Sequence, residues 1–404
     1  MTDSRIEQMS PVVISHTQNI PGTEFYKMWN IGPVSNYKAQ VPIFNVYNMH
    51  GLNAIIGYVM LKNSTVGKVL YRGQTRLYCG SDNSYTDLLP SICHLSPKAG
   101  ETVKAAKARW NIEINSRIEE LDKLIGAIID DKPFLKQIEY NFNTTYENHL
   151  IEMQNVIEAL IQHYGGSTRC MDFVDNHWIA LWFGLYQWVS DKNIPGQPVE
   201  CFYRKRILKH SRKNRQDFQE KARQEFYKEL KKCIGDTPIS HAKNEFNKLL
   251  KDYSHKLAFA EDQFLYILLF VANTLPEHGA EQHAGVYLSR QMTVVDLRRA
   301  LPSTFLRPGS QHGWTVKMNS PKEFMNRGDY SFAKNIVAIL RIPLCVADEL
   351  IGGALLSQEN LFPPEDYDQG YRILLQHQDL AVKKKDNLTE LDKAFQCMPI
   401  SKYK

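Results

Sequence analysis

Two short blocks, Tyr71-Arg72-Gly73-Gln74 and Gln162-His163-Tyr164-Gly165-Gly166-Ser167-Thr168-Arg169-Cys170-Met171-Asp172-Phe173, set polar and turn-forming residues directly beside core-grade sequence. The first ends a strand-like run over residues 66–77, rich in β-branched and aromatic side chains. The second follows a helical pattern over 146–163, stopped by the glycine pair, and leads into a strongly apolar stretch. Buried polar groups are costly unless satisfied, so two such clusters against apolar sequence point to a site.

The rest of the chain reads as alternating helix and strand. Residues 1–40 are polar and broken by Pro11, Pro21 and Pro33, which predicts a loosely ordered arm. Residues 51–62 read as a short helix. Residues 101–131 read as a longer one, with Ala105, Ala106, Trp110, Ile114, Ile118, Leu121 and Leu124 at spacings of three and four. The apolar runs 176–190 and 261–274 are expected to be buried helices, and 199–203 a short strand. Strands are also expected at 285–288, 291–295 and 337–342, and helices at 347–356 and after Leu361-Phe362-Pro363 through residue 376. The tail, with Lys383-Lys384-Lys385, is expected to be mobile.

Between these lies a change of composition. Arg204, Lys205, Arg206, Lys209, Arg212, Lys213 and Arg215 fall in twelve residues without an acid, and a charged helical pattern continues to residue 256. Phe218, Ala222, Phe226 and Leu230 form a four-spaced stripe within it. The segment 204–256 reads as a basic helical insertion, either a solvated surface or, with Phe202, Tyr203 and Phe218 close by, a single-strand nucleic-acid surface. The divisions are an arm (1–40), a first part of the main domain (41–203), the insertion (204–256), a second part (257–380) and a tail (381–404).

The totals exclude several classes. Seven cysteines are scattered and never spaced C-x-x-C, which argues against a disulfide framework or a zinc site and fits a reducing cytoplasm. No secretory signal is visible, and the most apolar runs are too short to span a bilayer. A net charge of +5 permits nucleic-acid contact without arguing for it.

Each cluster has a bland and a functional reading. Arg72 offers a fixed fork of donors to phosphate or carboxylate, with Gly73 letting a ligand approach the backbone; otherwise it pairs with a carboxylate at a strand end. Asp172 and Thr168 either cap the following helix and bond backbone, or touch a ligand. The third cluster, 277–287, carries Glu281 and His283 in a loop that either faces the site or is a polar turn.

The chain resembles the FRG-domain family. Tyr71-Arg72-Gly73-Gln74 fits its aromatic-Arg-Gly opening, and Leu89-Pro90-Ser91 its short Pro-Ser motif. Gln162 to Val174, with Ala180-Leu181-Trp182-Phe183, fits its central signature. Gly285-Val286-Tyr287 and Leu361-Phe362-Pro363 resemble two later motifs, so the likeness spans roughly residues 50–375. Cys170 and Met171 replace the family's paired leucines, Val174 stands where threonine is usual, and His283 where glutamine is usual.

FRG blocks in turn look like a distant version of the mono-ADP-ribosyltransferase pattern. That resemblance implies an α+β fold with a small split β-sheet flanked by helices, and NAD as substrate. It implies that Arg72 binds the NAD phosphates or ribose, Gly73 meets the nicotinamide amide, Tyr164 stacks nearby, Thr168 stands for a polar strand, and Glu281 supplies the acid. Tyr71, Gln74, His163, Asp172 and His283 would complete the cofactor pocket. The expected function is mono-ADP-ribosyl transfer in a toxin or phage-defence setting, with an antitoxin protein as a partner. The acceptor would be nucleic acid, RNA foremost, bound by Arg204, Lys205, Arg206, Arg212, Lys213 and Arg215, or a protein side chain. The competing class is a non-catalytic nucleotide- or partner-binding module.

Overall fold

The computed structural model describes residues 10–18, 20–31, 39–77, 85–86, 88–94, 103–138, 150–190, 200–206, 264–274, 283–289, 291–319, 332–351, 356–384, 388–397 and 402–403. These form a mixed α+β structure in which a ten-stranded sheet is flanked by helices. Its strands are β1 (Thr23–Ile31), β2 (Ala39–Val46), β3 (Lys68–Gln74), β4 (Tyr85–Thr86), β5 (Cys170–Val174), β8 (Phe264–Ala272), β9 (Val286–Leu288), β10 (Met292–Asp296), β11 (Gly313–Met318) and β12 (Ile336–Pro343). They lie in the order β4-β1-β2-β12-β8-β3-β5-β11-β10-β9. A second, three-stranded sheet holds β6 (Tyr186–Ser190), β7 (Glu200–Lys205) and β13 (Lys402–Tyr403).

The helices are α1 (Met49–Lys62), α2 (Val103–Asp130), α3 (Lys132–Gln137), α4 (Leu150–His163), α5 (His177–Leu185), α6 (Leu297–Ala300), α7 (Arg307–Ser310), α8 (Leu344–Ile351), α9 (Gln358–Leu361), α10 (Gln369–Lys383) and α11 (Glu390–Cys397). On one face of the sheet Val69, Tyr71, Ile267 and Leu269 pack under α1, α5 and α8. The opposite face carries Leu70, Phe173, Leu268, Phe270 and Val316, closed by Phe332. A third core joins α2, α4, α10 and α11 around Ile157, Leu160, Tyr371 and Phe395. No helix among the described residues is long and apolar enough to cross a membrane.

Several expectations are corrected. The sheet is large rather than small: residues expected to form an arm supply β1 and the first two residues of β2, and these strands pair antiparallel, with Val41 and Ile43 of β2 fully buried. The run expected as a helix over 261–274 contains β8, every residue of which is buried between two layers. A strand covered on both faces reads as one continuous apolar run, so its pattern does not separate it from a buried helix. The expected helix over 176–190 stops at Leu185 and becomes β6, where Tyr186, Trp188 and Val189 favour extended chain. β11 was not anticipated.

The tail is partly docked rather than mobile: Phe395 is fully buried, 5.5 Å edge-on from Phe134. Arg204 and Lys205 lie on β7, and Arg206 follows it and donates to the carbonyls of Gly184 and Phe264. They are therefore part of the folded body, not of a helical insertion. Arg212, Lys213, Arg215 and the rest of that segment lie outside the described residues.

Candidate functional site

The motif blocks meet where the sheet is weakest. β3 is paired along its length with β8, and β5 with β11, but β3 and β5 share a single antiparallel pair, Tyr71 with Val174. Beyond that pair the two strands splay apart. Arg72, half-buried, follows it on β3, and its Nη1 donates to the main-chain oxygen of Asp172 at 2.6 Å. The side chain thus bridges the splay with a charge-assisted hydrogen bond.

From Asp172 a chain of hydrogen bonds runs through the other motifs. Gln162 Nε2 donates to Asp172 Oδ2 at 2.7 Å, and Thr168 Oγ1 donates to Gln162 Oε1 at 2.6 Å. The Thr168 hydroxyl also accepts from the Cys170 amide, while the Thr168 amide donates to Ser91 Oγ at 3.1 Å. The Thr168 carbonyl accepts from the Ile92 amide. Arg72, Asp172, Gln162, Thr168 and Ser91 therefore form one junction. The helix that delivers Gln162 ends where expected: Gly165 takes φ +101° and the Gly166 amide closes back on the Ile161 carbonyl.

Asp172 keeps chemical capacity at this junction. Its side chain is 38% exposed, and Oδ1 lies 3.8 Å from His163 Nδ1. Among the described residues Asp172 Oδ1 and His163 Nε2, both buried atoms, have no hydrogen-bond partner. The splay thus brings together a guanidinium, a part-exposed carboxylate and an imidazole.

Other roles expected from the sequence are corrected. Gly73 cannot receive a planar amide on the helix-covered face. A Cβ there would stand 1.7 Å from the Ala180 carbonyl oxygen and 2.8 Å from the Gly184 nitrogen, so the glycine is required for α5 to seat on β3. Tyr164 does not stack on a ligand. It is 1% exposed, donates to Asp368 Oδ2 at 2.9 Å, and stacks on Tyr371 with the Arg307 guanidinium 4.4 Å from both rings. Burial first, then Asp368, pushes its hydroxyl well above the ordinary phenol range, against the opposing charge of Arg307.

Thr168 is fully buried in the turn before β5 rather than on a polar strand. Asp172 is not the cap of the next helix, since Asn176 accepts from the Trp178 amide there. Gln74 is buried at the end of β3. Tyr71 is buried against the His177 ring at 5.9 Å, and burial followed by the nearby Asp175 pushes its hydroxyl up to about 12. His283 bridges to Val286 at the start of β9, which is three strands from β5 and so roughly 14 Å away at about 4.8 Å per strand. It stands apart from the splay. Glu281 lies outside the described residues.

Two charged constellations were missed. At the far end of β5, Asp175 accepts from Lys68 Nζ at 2.8 Å, from Arg298 Nη2 at 2.8 Å, and lies 3.0 Å from His312 Nδ1. Burial raises the Asp175 carboxyl, but these partners outweigh it and hold it below the usual range. The second is built on α4. Glu158, fully buried, takes Arg169 Nε at 2.9 Å, Arg169 Nη2 at 2.8 Å, the Arg169 amide at 3.0 Å and Lys317 Nζ at 3.2 Å. Asn155, Glu158 and Gln162 stand three and four residues apart on a largely apolar helix and are buried or half-buried, a polar stripe that could have signalled a buried network.

No curated protein and no solved structure matches the chain. One family does, over a shorter stretch than the motif resemblance covered: residues 68–192, from β3 to β6, match the FRG domain, and that stretch contains Arg72, Ser91, Gln162, Thr168 and Asp172, the whole junction at the splay.

Proposed function

We propose that the protein is an NAD-dependent mono-ADP-ribosyltransferase whose donor site is the β3–β5 splay. The observation that carries the reading is the placement of Arg72 against the Asp172 main chain where β3 and β5 share a single pair. A guanidinium there suits the pyrophosphate of NAD. The part-exposed Asp172 carboxylate suits the positive charge that develops on the ribose as the nicotinamide–ribose bond breaks. In that step C1′ loses nicotinamide with the bonding pair, gains a bond to the acceptor nucleophile, and the nucleophile's proton passes to the carboxylate. The acceptor is nucleic acid, RNA foremost, or a protein side chain, in a toxin or phage-defence setting.

A second reading, a nucleotide-binding module without turnover, is favoured by a specific observation. Gly73, Tyr164 and Thr168, which the transferase analogy assigns to NAD, are taken up in packing and in the junction itself. The test is incubation of the full chain with NAD labelled in the adenylate phosphate, together with separate RNA, DNA and protein mixtures, following transfer and nicotinamide release. Transfer that falls at least a hundredfold in Arg72→Lys and Asp172→Asn supports the first reading. Saturable NAD binding without release supports the second. Transfer indifferent to both substitutions removes the splay as the donor site.

A further inference from the structure

A second site lies away from the splay. Between α2, α4 and the β9–β10–β11 edge of the sheet is a cleft of about 470 Å³, within the range of small-molecule sites. Its floor is Asn155, Arg169 and Lys317; Thr293 and Asn319, hydrogen-bonded to each other at 3.0 Å, form a wall. Ile151 and Leu288, 65% and 38% exposed, flank the mouth together with Gln154 and Asp122.

The charge arrangement points to a ligand class. Glu158 lies beneath the floor, and burial works against its ionisation, yet Lys317 and Arg169 outweigh that and hold its carboxyl at about 2. One buried carboxylate therefore faces two cations. The second counter-charge is Asp122, 2.8 Å from Arg169 Nη2, with 52% of its side chain in solvent, where its attraction is screened. Lys317 and Arg169 each keep 17% of their side-chain surface, and both line the cavity. Lys317 Nζ also donates to Asn155 Oδ1 in the cleft floor, so both cations are held in place by these partners while their remaining surface faces the cavity.

We infer that the cleft binds a small organic molecule carrying one fixed oxyanion, a phosphate or a carboxylate, on an apolar or aromatic body no larger than a mononucleotide. The oxyanion lies against Lys317 and Arg169, and the body rests between Ile151 and Leu288. This inference is independent of the transferase reading, because none of the cleft residues belongs to the splay.

The experiment is calorimetric titration of the full chain with AMP, adenosine, inorganic phosphate and indole-3-acetate. Gln154 is exposed at the mouth, so its charge can be changed without disturbing the fold. AMP or indole-3-acetate is expected to bind, whichever does so naming the source of the oxyanion, with adenosine and phosphate alone at least tenfold weaker. Gln154→Glu is expected to weaken binding two- to tenfold and Gln154→Lys to tighten it, with Arg72→Ala unchanged. Lys317→Arg, which keeps Glu158 paired, is expected to retain the fold and alter affinity. Absence of binding by both oxyanion-bearing probes would overturn the inference. So would binding that ignores Gln154 and Lys317, or that disappears in Arg72→Ala.

Discussion

Replacing Glu158 by glutamine removes one negative charge and little volume from beneath α4. Four donors converge on its carboxylate: two from the Arg169 guanidinium, the Arg169 amide, and Lys317 Nζ. Glutamine keeps one acceptor oxygen, but its amide group must then face Arg169 Nη2 and Lys317 Nζ, donor against donor. Two routes give the size of the loss. The carboxyl is held at about 2 against an ordinary 4.5, which at about 1.4 kcal/mol per unit is roughly 3 kcal/mol. Removing one partner of a buried ion pair generally costs about 3–5 kcal/mol, because the remaining charge is left uncompensated. The routes agree, and for a chain of 404 residues the expected fall in melting temperature at pH 7 is on the order of 4–6 °C. Thermal unfolding followed by circular dichroism measures it. The double variant Glu158→Gln, Lys317→Met should lose less than the sum of its singles, by about 1 kcal/mol or more, since the second change relieves an unpaired cation. A Glu158→Gln melt within about 1 °C of wild type, or strictly additive losses, would refute the reasoning.

Three further outcomes follow from the same structure. Because the Glu158 pKa is depressed on folding, its stabilisation is present above about pH 4.5 and disappears as pH falls toward 2. Melting between pH 2 and 7 should show that loss in the wild type and a flatter profile in Glu158→Gln; identical profiles would count against it. Gly73→Ala should prevent normal folding, because its Cβ meets the Ala180 carbonyl, whereas Gly126→Ala in α2, with nothing within 4 Å of the new methyl, should stabilise by about 0.5–1 kcal/mol. Comparing soluble yield and melting point of the two variants checks both. Phe395→Ala, at a fully buried position between Phe134 and His377, should cost about 3–5 kcal/mol in urea unfolding, and a loss under 1 kcal/mol would return the C-terminal helix to a loosely attached tail.

How much of this was legible depended on whether the decisive contacts were local. α1, α2, α4 and β3 carry their periodicity in their own sequence, and the glycine stop after His163 falls where the pattern placed it. β8 and α5 did not separate cleanly, because burial on all sides erases the difference between period two and period 3.6. At the site, both motif blocks were recognised and they do meet, Arg72 against Asp172. The roles within them were not legible, since they are set by distant partners. Tyr164 is claimed by Asp368 and Tyr371, Thr168 by Ser91, and Gly73 by Ala180. Lys317 was invisible for the same reason: its meaning comes from Glu158, 159 residues away on α4.

The central claim is that the nucleotide donor sits at the splay. Photocrosslinking with an azido-adenine NAD analogue, followed by peptide mapping, tests it most directly. Labelled peptides are expected from β3 around Arg72 and from the turn and strand around Thr168 to Asp172, competed away by unlabelled NAD and lost in Arg72→Ala. Labelling of the cleft peptides around Asp122, Ile151 and Lys317 with none on β3, or labelling that Arg72→Ala leaves intact, would contradict it.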